Sequence, residues 1–434
     1  MTMLARSASC DVTPRERPVR LAGYAARNEP VSTVLDPIEI SAVLLEADGR
    51  HCLIFSFDLM VVGAELQRAI HTRLAAHGFA PTEIMLLASH THFAPATDRA
   101  CAPLGVPDEQ FVADLAAATE NLVRKMLRQQ PAEGRLEIRR GRLSHSVNRR
   151  RHWPFPTVGR TYGFRLSSTV MAPDRQAATD ELATVLLLRR ADDDAVIAAI
   201  WHYTCHATAV TPYEVVSADF PGAVRRALRQ RFGNIPCVFA QGFCGDISPK
   251  IASDGPQDGV GGRLRRLARK MISGPTFPPY AAEDWKRWSE NLAAMVAAIG
   301  EQPPEKAAAP ETLSIAVSQV PLADFFDGVA PDKPLTVQAL RLGSAIELVA
   351  LSAEVTVEWQ SILDSALPAG EGRLRLYAGY LGTVYGYLPT PRQIAEGGYE
   401  VTGFQRLFGL SGNFDAGKIV SAVVGCAKRA IDDL

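Results

Sequence analysis

The sequence predicts an α/β protein in which mixed sheets are covered by helices and an active site lies beyond the carboxyl ends of strands. Three observations carry this. Short apolar runs alternate with amphipathic ones along the whole chain, as strands packed against helices require. Several of those runs end in histidine, aspartate, serine or glutamate. The chain has 434 residues, 47% hydrophobic and 21% charged, a composition expected of a soluble globular protein with a large core.

The elements follow in order. Residues 39–47 and 51–60 are apolar, joined by Asp48-Gly49-Arg50, and predict a strand pair. Residues 62–78 have apolar residues at helical spacing and end at Gly78. EIMLLAS (83–89) predicts a strand, and residues 110–130 a helix. TVLLLRR (184–190) and AVIAAIWHYT (195–204) predict paired strands. Residues 221–232 predict a helix, IPCVFAQ (235–241) a strand, and residues 263–273 and 282–300 two helices. AIELVAL (345–351) predicts a strand, followed by helices over 356–366 and 416–432. The Pro/Ala-rich QPPEKAAAP (302–310) reads as a surface loop or a linker. There are no internal repeats.

Bulk features narrow the function classes. A net charge of -1 gives no basic excess pointing to nucleic acid, and no lysine/arginine block pointing to an anionic membrane surface. The seven cysteines form no CxxC pair, which argues against a disulfide framework and for a reducing compartment. The N-terminus has no apolar signal core, and no apolar run is long enough to span a bilayer. A cytoplasmic protein is expected, with no transmembrane segment and no nucleic-acid partner. These features say nothing of oligomeric state.

The strand ends carry the chemistry. Asp58, His90 with His92, His206, Asp246 with Ser248, and Glu354 each follow an apolar run, and ligands of open α/β sheets bind beyond the carboxyl ends of strands. Each residue also has an ordinary structural reading: a hydrogen-bonded histidine, a helix cap for Asp58, turn residues for Asp246 and Ser248, a first-turn glutamate for Glu354. All five coinciding is harder to account for. Two imidazoles and a carboxylate suit zinc with a position left open for water or substrate.

The order of short motifs is more specific. SHTHFAP (89–95), TCHAT (204–208), GDISPK (245–250), LSAEVTVE (351–358) and GYLPTPRQIAEGGYEV (386–401) follow one another, with GYAAR (23–27), DPI (36–38) and SADFPG (217–222) beside them. Together they resemble the catalytic domain of the neutral/alkaline non-lysosomal ceramidase family, zinc amidases that hydrolyse N-acylsphingosine. The resemblance covers nearly the whole chain and implies a single ceramidase-like catalytic domain over 1–434.

The resemblance implies the site. Zinc ligands would be His90, His206, Glu354 and Tyr387; whether a second divalent cation sits near Asp58 or Asp219 is left open by the sequence. His92 would act beside the metal, Ser248 would be the family's serine, Tyr399 the tyrosine near Tyr387, and Arg149 in SVNRR the site arginine. The implied reaction is zinc-dependent hydrolysis of an amide carbon–nitrogen bond in a lipid or small-molecule N-acyl amine. Two alternatives stand beside it: a zinc hydrolase of a small soluble amide, lactam or ester, and a non-catalytic binding protein, against which the intact ligand set argues. The chain departs from the family at Phe93-Ala94, where Ser-Gly is expected, and a C-terminal immunoglobulin-like domain is not expected in it. Phe93-Ala94-Pro95 is therefore where a changed substrate is expected to register. Trp153, Phe155 and Tyr162 would shape a short pocket for a small substrate, or belong to the core.

Overall fold

The computed structural model describes residues 3–27, 29–159, 163–165, 168–253 and 260–434. The chain runs through β1 (Leu4–Asp11), β2 (Glu39–Ala47), β3 (Arg50–Phe57), α1 (Ala64–Ala75), β4 (Ile84–Ala88) and α2 (Glu109–Leu127). Next come β5 (Ala132–Arg142), β6 (Ser146–Trp153), β7 (Thr157–Gly159), β8 (Gly163–Arg165) and β9 (Ser168–Asp174). Then follow β10 (Leu182–Arg190), β11 (Val196–Tyr203), α3 (Phe220–Phe232), β12 (Cys237–Gln241), β13 (Ile247–Pro249), α4 (Val260–Ser273) and α5 (Ala282–Glu301). The last third holds β14 (Lys306–Ala308), β15 (Leu313–Pro321), β16 (Pro334–Leu342), β17 (Ile346–Leu351), β18 (Glu354–Val355), α6 (Glu358–Ala366), β19 (Leu374–Ala378), β20 (Tyr387–Leu388), α7 (Pro391–Glu396) and α8 (Ile419–Asp432).

Two large sheets stack face to face and are covered by helices on their outer sides. The first has the order β12-β11-β10-β5-β1-β2-β3-β4, and the second β15-β16-β17-β19. Along β2, Val43 and Leu45 enter the layer between the sheets, while Ala42 and Leu44 face α1 and α2. Along β10, Leu186 and Leu188 face the second sheet, and Val185 and Leu187 face α5. Both faces of these strands are buried, so their sequences read as unbroken apolar runs. α8 covers the outer side of β15 and β16 through Ile419, Val423 and Cys426.

QPPEKAAAP is neither loop throughout nor linker. Glu305 N donates to Ile138 O at 2.9 Å, and Lys306–Ala308 pairs with β5. All seven cysteine thiols are free. No helix among the described residues is long and apolar enough to cross a membrane.

Three parallel pairs position the site: β3 with β4, β11 with β12, and β17 with β19. Each is joined through a helix, α1, α3 and α6 respectively. The first sheet curls until its edge strands β4 and β12 approach one another. There Gln241 Nε2 donates to Ser89 O at 3.3 Å and to Cys205 O at 2.6 Å. The carboxyl ends of β4, β11 and β12 therefore meet, although β4 and β12 sit at opposite ends of the strand order.

Candidate metal centre

His90 stands two residues beyond β4 with φ 60°, a left-handed backbone rare outside glycine. His90 and His92, which an extended chain would also place on one side, keep a common aim through that turn, their Nε2 atoms 3.2 Å apart. His206, beyond β11, brings its Nε2 to 3.2 Å from that of His90. The three ring nitrogens form one compact group able to hold a metal ion. His90 Nδ1 donates to Met60 O at 2.8 Å, and His206 Nδ1 to Cys244 O at 2.6 Å. A carbonyl only accepts, so each neutral ring keeps its lone pair on Nε2, the second-layer pattern of metal-ligating histidines. His92 Nδ1 is buried and has no such partner.

Glu354 completes the cluster. Its Oε2 lies 3.3 Å from His90 Nε2 and 3.5 Å from His206 Nε2, and it receives no hydrogen bond. Burial opposes its ionisation, and only positive charge at the His90–His206 side holds the carboxyl well below its usual range, whether carried by the protonated rings or by a cation among them. Burial, then the Arg149 charge, pushes His206 down to about 4, so it is a free base at neutral pH. Lone pairs facing one another at these distances repel unless a cation lies among them, and the nitrogen and carboxylate donor set suits zinc.

Tyr387 enters through a short parallel ladder. β18 pairs with β20 so that Glu354 stands opposite Tyr387, and Glu354 N donates to Gly386 O at 3.0 Å. Burial and the Glu354 charge raise the Tyr387 phenol well above its ordinary pKa, with Arg149 opposing them. Arg149 Nη2 donates to the Tyr387 hydroxyl at 3.0 Å. The guanidinium also lies against both tyrosine rings, 5.7 Å from the centre of Tyr387 and 5.6 Å from that of Tyr399. Arg149 and Arg150 would face opposite ways in a regular strand. A register shift between Asn148 and Arg150 in the β6–β9 pair changes this. Both then reach Glu400, Arg149 Nε at 2.8 Å and Arg150 Nη1 at 2.7 Å.

Ser248 lies on β13 opposite Val147 of β6, two residues from Arg149. Its neighbour Ile247 accepts from His206 N at 3.2 Å. Ser248 is half-buried, and its hydroxyl makes no hydrogen bond among the described residues.

The remaining motif residues hold the frame. Asp246 accepts from Val357 N (2.8 Å), Asn148 Nδ2 (3.0 Å) and Gln393 Nε2 (3.1 Å), tying β6, the start of α6 and α7 together. A Cβ at Gly245 would come within 2.7 Å of Glu354 O, so only glycine fits there. Asp36 accepts from Ser217 Oγ at 2.7 Å and Ala218 N at 2.8 Å, and Thr91 Oγ1 donates to Ser217 O at 2.9 Å. DPI and SADFPG thus brace the histidine turn. Asp58 is ion-paired to Arg225 at 2.7 Å, and Asp219 accepts from Ala209 N, Phe220 N and Trp285 Nε1. Neither belongs to a potential metal group among the described residues.

Asp246 makes a pH prediction. Burial, ahead of its hydrogen bonds, pushes its carboxyl from 3.8 up to about 6. The folded state therefore favours the protonated form. That stability is fully present below about pH 4 and lost as pH rises through about 6, amounting to about 3 kcal/mol. The urea midpoint of the wild type is expected to fall between these values, and Asp246→Asn to flatten the slope. Asp219, also pushed up to about 6, contributes a slope that the variant keeps.

GYAAR forms the seat of His92. Gly23 has φ 105°, and a Cβ there would lie 2.3 Å from His92 Nδ1. Tyr24 meets the His92 ring edge-on at 5.2 Å between centres, and Arg27 donates to His92 O. Gly23→Ala must displace the imidazole and is expected to lower kcat/KM about 10²-fold. Bound zinc should stay unchanged if His92 moves protons; loss of the metal as well would make His92 a ligand.

Phe93 and Ala94 are fully buried in core clusters behind the histidines. They line no site surface, which corrects the expectation that the departure from the family reshapes the substrate pocket directly. Trp153 is half-buried and Phe155 exposed, so they form neither core nor a closed pocket; Tyr162 lies outside the described residues. Glu400 escaped the sequence reading although it adjoins Tyr399 in a quoted motif. Tyr380, whose ring stacks on His90 at 4.0 Å, left no signal in the sequence.

No family model matches the chain, and no curated protein matches it. A solved structure of neutral ceramidase from Pseudomonas aeruginosa superposes with a TM-score of 0.73 at 16% identity, over 99% of this chain and 75% of that one. The chain has the neutral ceramidase fold. A second structure, described as ceramidase complexed with C2, gives the same score and identity over 100% of this chain and 76% of that one. The neutral ceramidase fold thus spans both large sheets and the β18–β20 ladder.

Proposed function

We propose that the chain is a zinc-dependent hydrolase of an amide carbon–nitrogen bond, acting on N-acylsphingosine or a related N-acyl amine. The convergence of the His90 and His206 Nε2 atoms with the donor-free Glu354 Oε2 carries this reading. The ceramidase likeness of fold and motifs supports the substrate class. His90, His206, Glu354 and Tyr387 would hold the ion. Bound there, zinc supplies a Lewis acid for the substrate carbonyl and acidifies a water.

The chain's own groups do the rest. Burial, with the neighbouring His90 and His206, keeps the His92 pKa well below its ordinary value, so its ring is a free base. His92 Nε2 takes the proton of the attacking water and passes it to the leaving amine. Arg149 and the Tyr399 hydroxyl stabilise the developing oxyanion. Ser248 orients the acyl group with a hydroxyl not committed to the frame.

Purified protein is expected to carry about one zinc per chain and to release fatty acid from an N-acylsphingosine. Dipicolinate should abolish turnover and added zinc restore it. Full amidase activity in metal-free protein would overturn the proposal. A substrate series from long-chain N-acyl amines to short amides, lactams and esters measures the substrate class.

A further inference from the structure

An amphipathic helix ordinarily turns its apolar stripe to the core. α4 does the reverse. Leu264, Leu267, Met271 and Ile272 follow helical spacing and are 60%, 55%, 71% and 56% exposed. The helix, VGGRLRRLARKMIS, contains five cationic residues and no acidic one. The chain's net charge of -1 concealed this local block, contrary to the expectation that no such block exists.

The stripe is not isolated. Lys270 Nζ lies 6.0 Å from the Trp153 ring centre, and the Trp153 and Phe155 rings are 5.1 Å apart. A Cβ at Gly274, just past the helix, would touch Val170 and Trp153 at 3.1 and 3.3 Å. Phe155 and Met171, flanking these contacts, are themselves exposed. This edge belongs to the small sheet β13-β6-β9 that carries Ser248 and Arg149. Trp153 is four residues from Arg149 along β6, roughly 13 Å in an extended strand.

We propose that α4, with Phe155 and Met171, docks this protein on an anionic lipid surface, lying in the interface with its aliphatic stripe among the acyl chains. A cation-rich helix with an exposed apolar stripe is the composition such surfaces bind. Charge complementarity selects this occupant. A second copy seated symmetrically would bring cationic helix against cationic helix, and a nucleic acid would leave the stripe in water. If the substrate is a lipid amide, as proposed above, docking sets the mouth of the site beside the membrane that holds it. This last clause rests on that reading; the docking does not.

Vesicle flotation tests it. The wild type is expected to float with vesicles of phosphatidylcholine and phosphatidylserine, not with phosphatidylcholine alone, and to lose about tenfold in affinity at high salt. The double variant Leu267→Asp/Met271→Asp, at exposed positions, should keep its circular dichroism and lose flotation, while Leu127→Asp on α2 should float normally. On vesicle-embedded N-acylsphingosine the double variant should show a raised KM with kcat, and turnover of detergent-dispersed substrate, unchanged. Absence of flotation, or flotation indifferent to the double variant, overturns the docking; so does a dimer or a nucleic-acid complex that the double variant abolishes while vesicles are ignored. Hydrolysis of dispersed substrate without flotation sinks the docking alone. Salt-sensitive flotation without zinc-dependent hydrolysis upholds the docking and sinks the functional proposal.

Discussion

His206→Ala is expected to purify without zinc and to hydrolyse an N-acyl amine about 10³-fold more slowly than the wild type, because the Lewis acid contributes several kcal/mol to the barrier. The residue combines two roles. Its Nε2 faces His90 and Glu354 at 3.2 and 3.5 Å, and its Nδ1 is tied to Cys244 O at 2.6 Å. Truncation deletes a ligand and leaves the Cys244 carbonyl unpaired in the core, so some stability is lost too. His206→Cys separates the effects. A thiolate is a zinc ligand, and this variant is expected to regain part of the metal while sharing the unpaired carbonyl. Metal content by elemental analysis, read beside a melting curve, decides the matter. A folded His206→Ala protein that keeps zinc and turnover would remove His206 from the ligand set.

The second large effect belongs to Glu400. Its carboxylate sits buried between Arg149 and Arg150. Burial opposes its ionisation, yet the two guanidinium charges hold its pKa below the usual range. Its contribution to stability is thus present above the ordinary carboxylate pKa of about 4.5 and lost as pH falls through the depressed folded value. Glu400→Gln leaves Arg149 without a carboxylate partner and Arg150 with Glu396 alone, 3.2 Å away, which costs about 3–5 kcal/mol. It also frees the arginine that reaches the Tyr387 hydroxyl, and kcat/KM is expected to fall about 10²-fold.

Glu400 is a positioning residue, and a double-mutant cycle isolates that role. With Arg149→Met already made, Glu400→Gln should cost little further activity. Additive losses in kcat would show that Glu400 acts on the reaction independently of Arg149. Retention of activity by Glu400→Asp, which keeps the charge, is the accompanying rescue.

The strands legible in the sequence were those with both faces buried, such as β2, β10 and β12, whose burial leaves an unbroken apolar signal. β5, AEGRLEIRRGR, was not legible. Glu137 meets Arg139 of its own strand at 2.6 Å and Arg189 of β10 at 2.8 Å, and the second pairing is one that a single segment cannot display. β6, which reads NRRRHW, was hidden for the same reason, and it carries Arg149.

The site divides similarly. The types of the proposed metal ligands and their places near strand ends were written in the sequence, because each lies in its own short motif. His90, His206, Glu354 and Tyr387 were named from those motifs, and the structure brings the first three together with the fourth directly opposite Glu354 in the β18–β20 ladder. Gly23, Asp36, Asp219 and Asp246 lay in motifs whose purpose was invisible, since bracing is a relation between distant segments.

By itself, then, the sequence determined which strands have two buried faces and which residues stand at their ends. Both are local consequences of side-chain chemistry and period. The tertiary structure alone decided that β4 and β12, at opposite ends of a curled sheet, would meet. It decided that His206 and Glu354 would be brought to the histidine pair beyond β4, and that a register shift would bring two neighbouring arginines to one glutamate. It also left the apolar stripe of α4 facing outwards. Each of these follows from how separate segments pack, and packing across long loops leaves no periodic trace in any one of them.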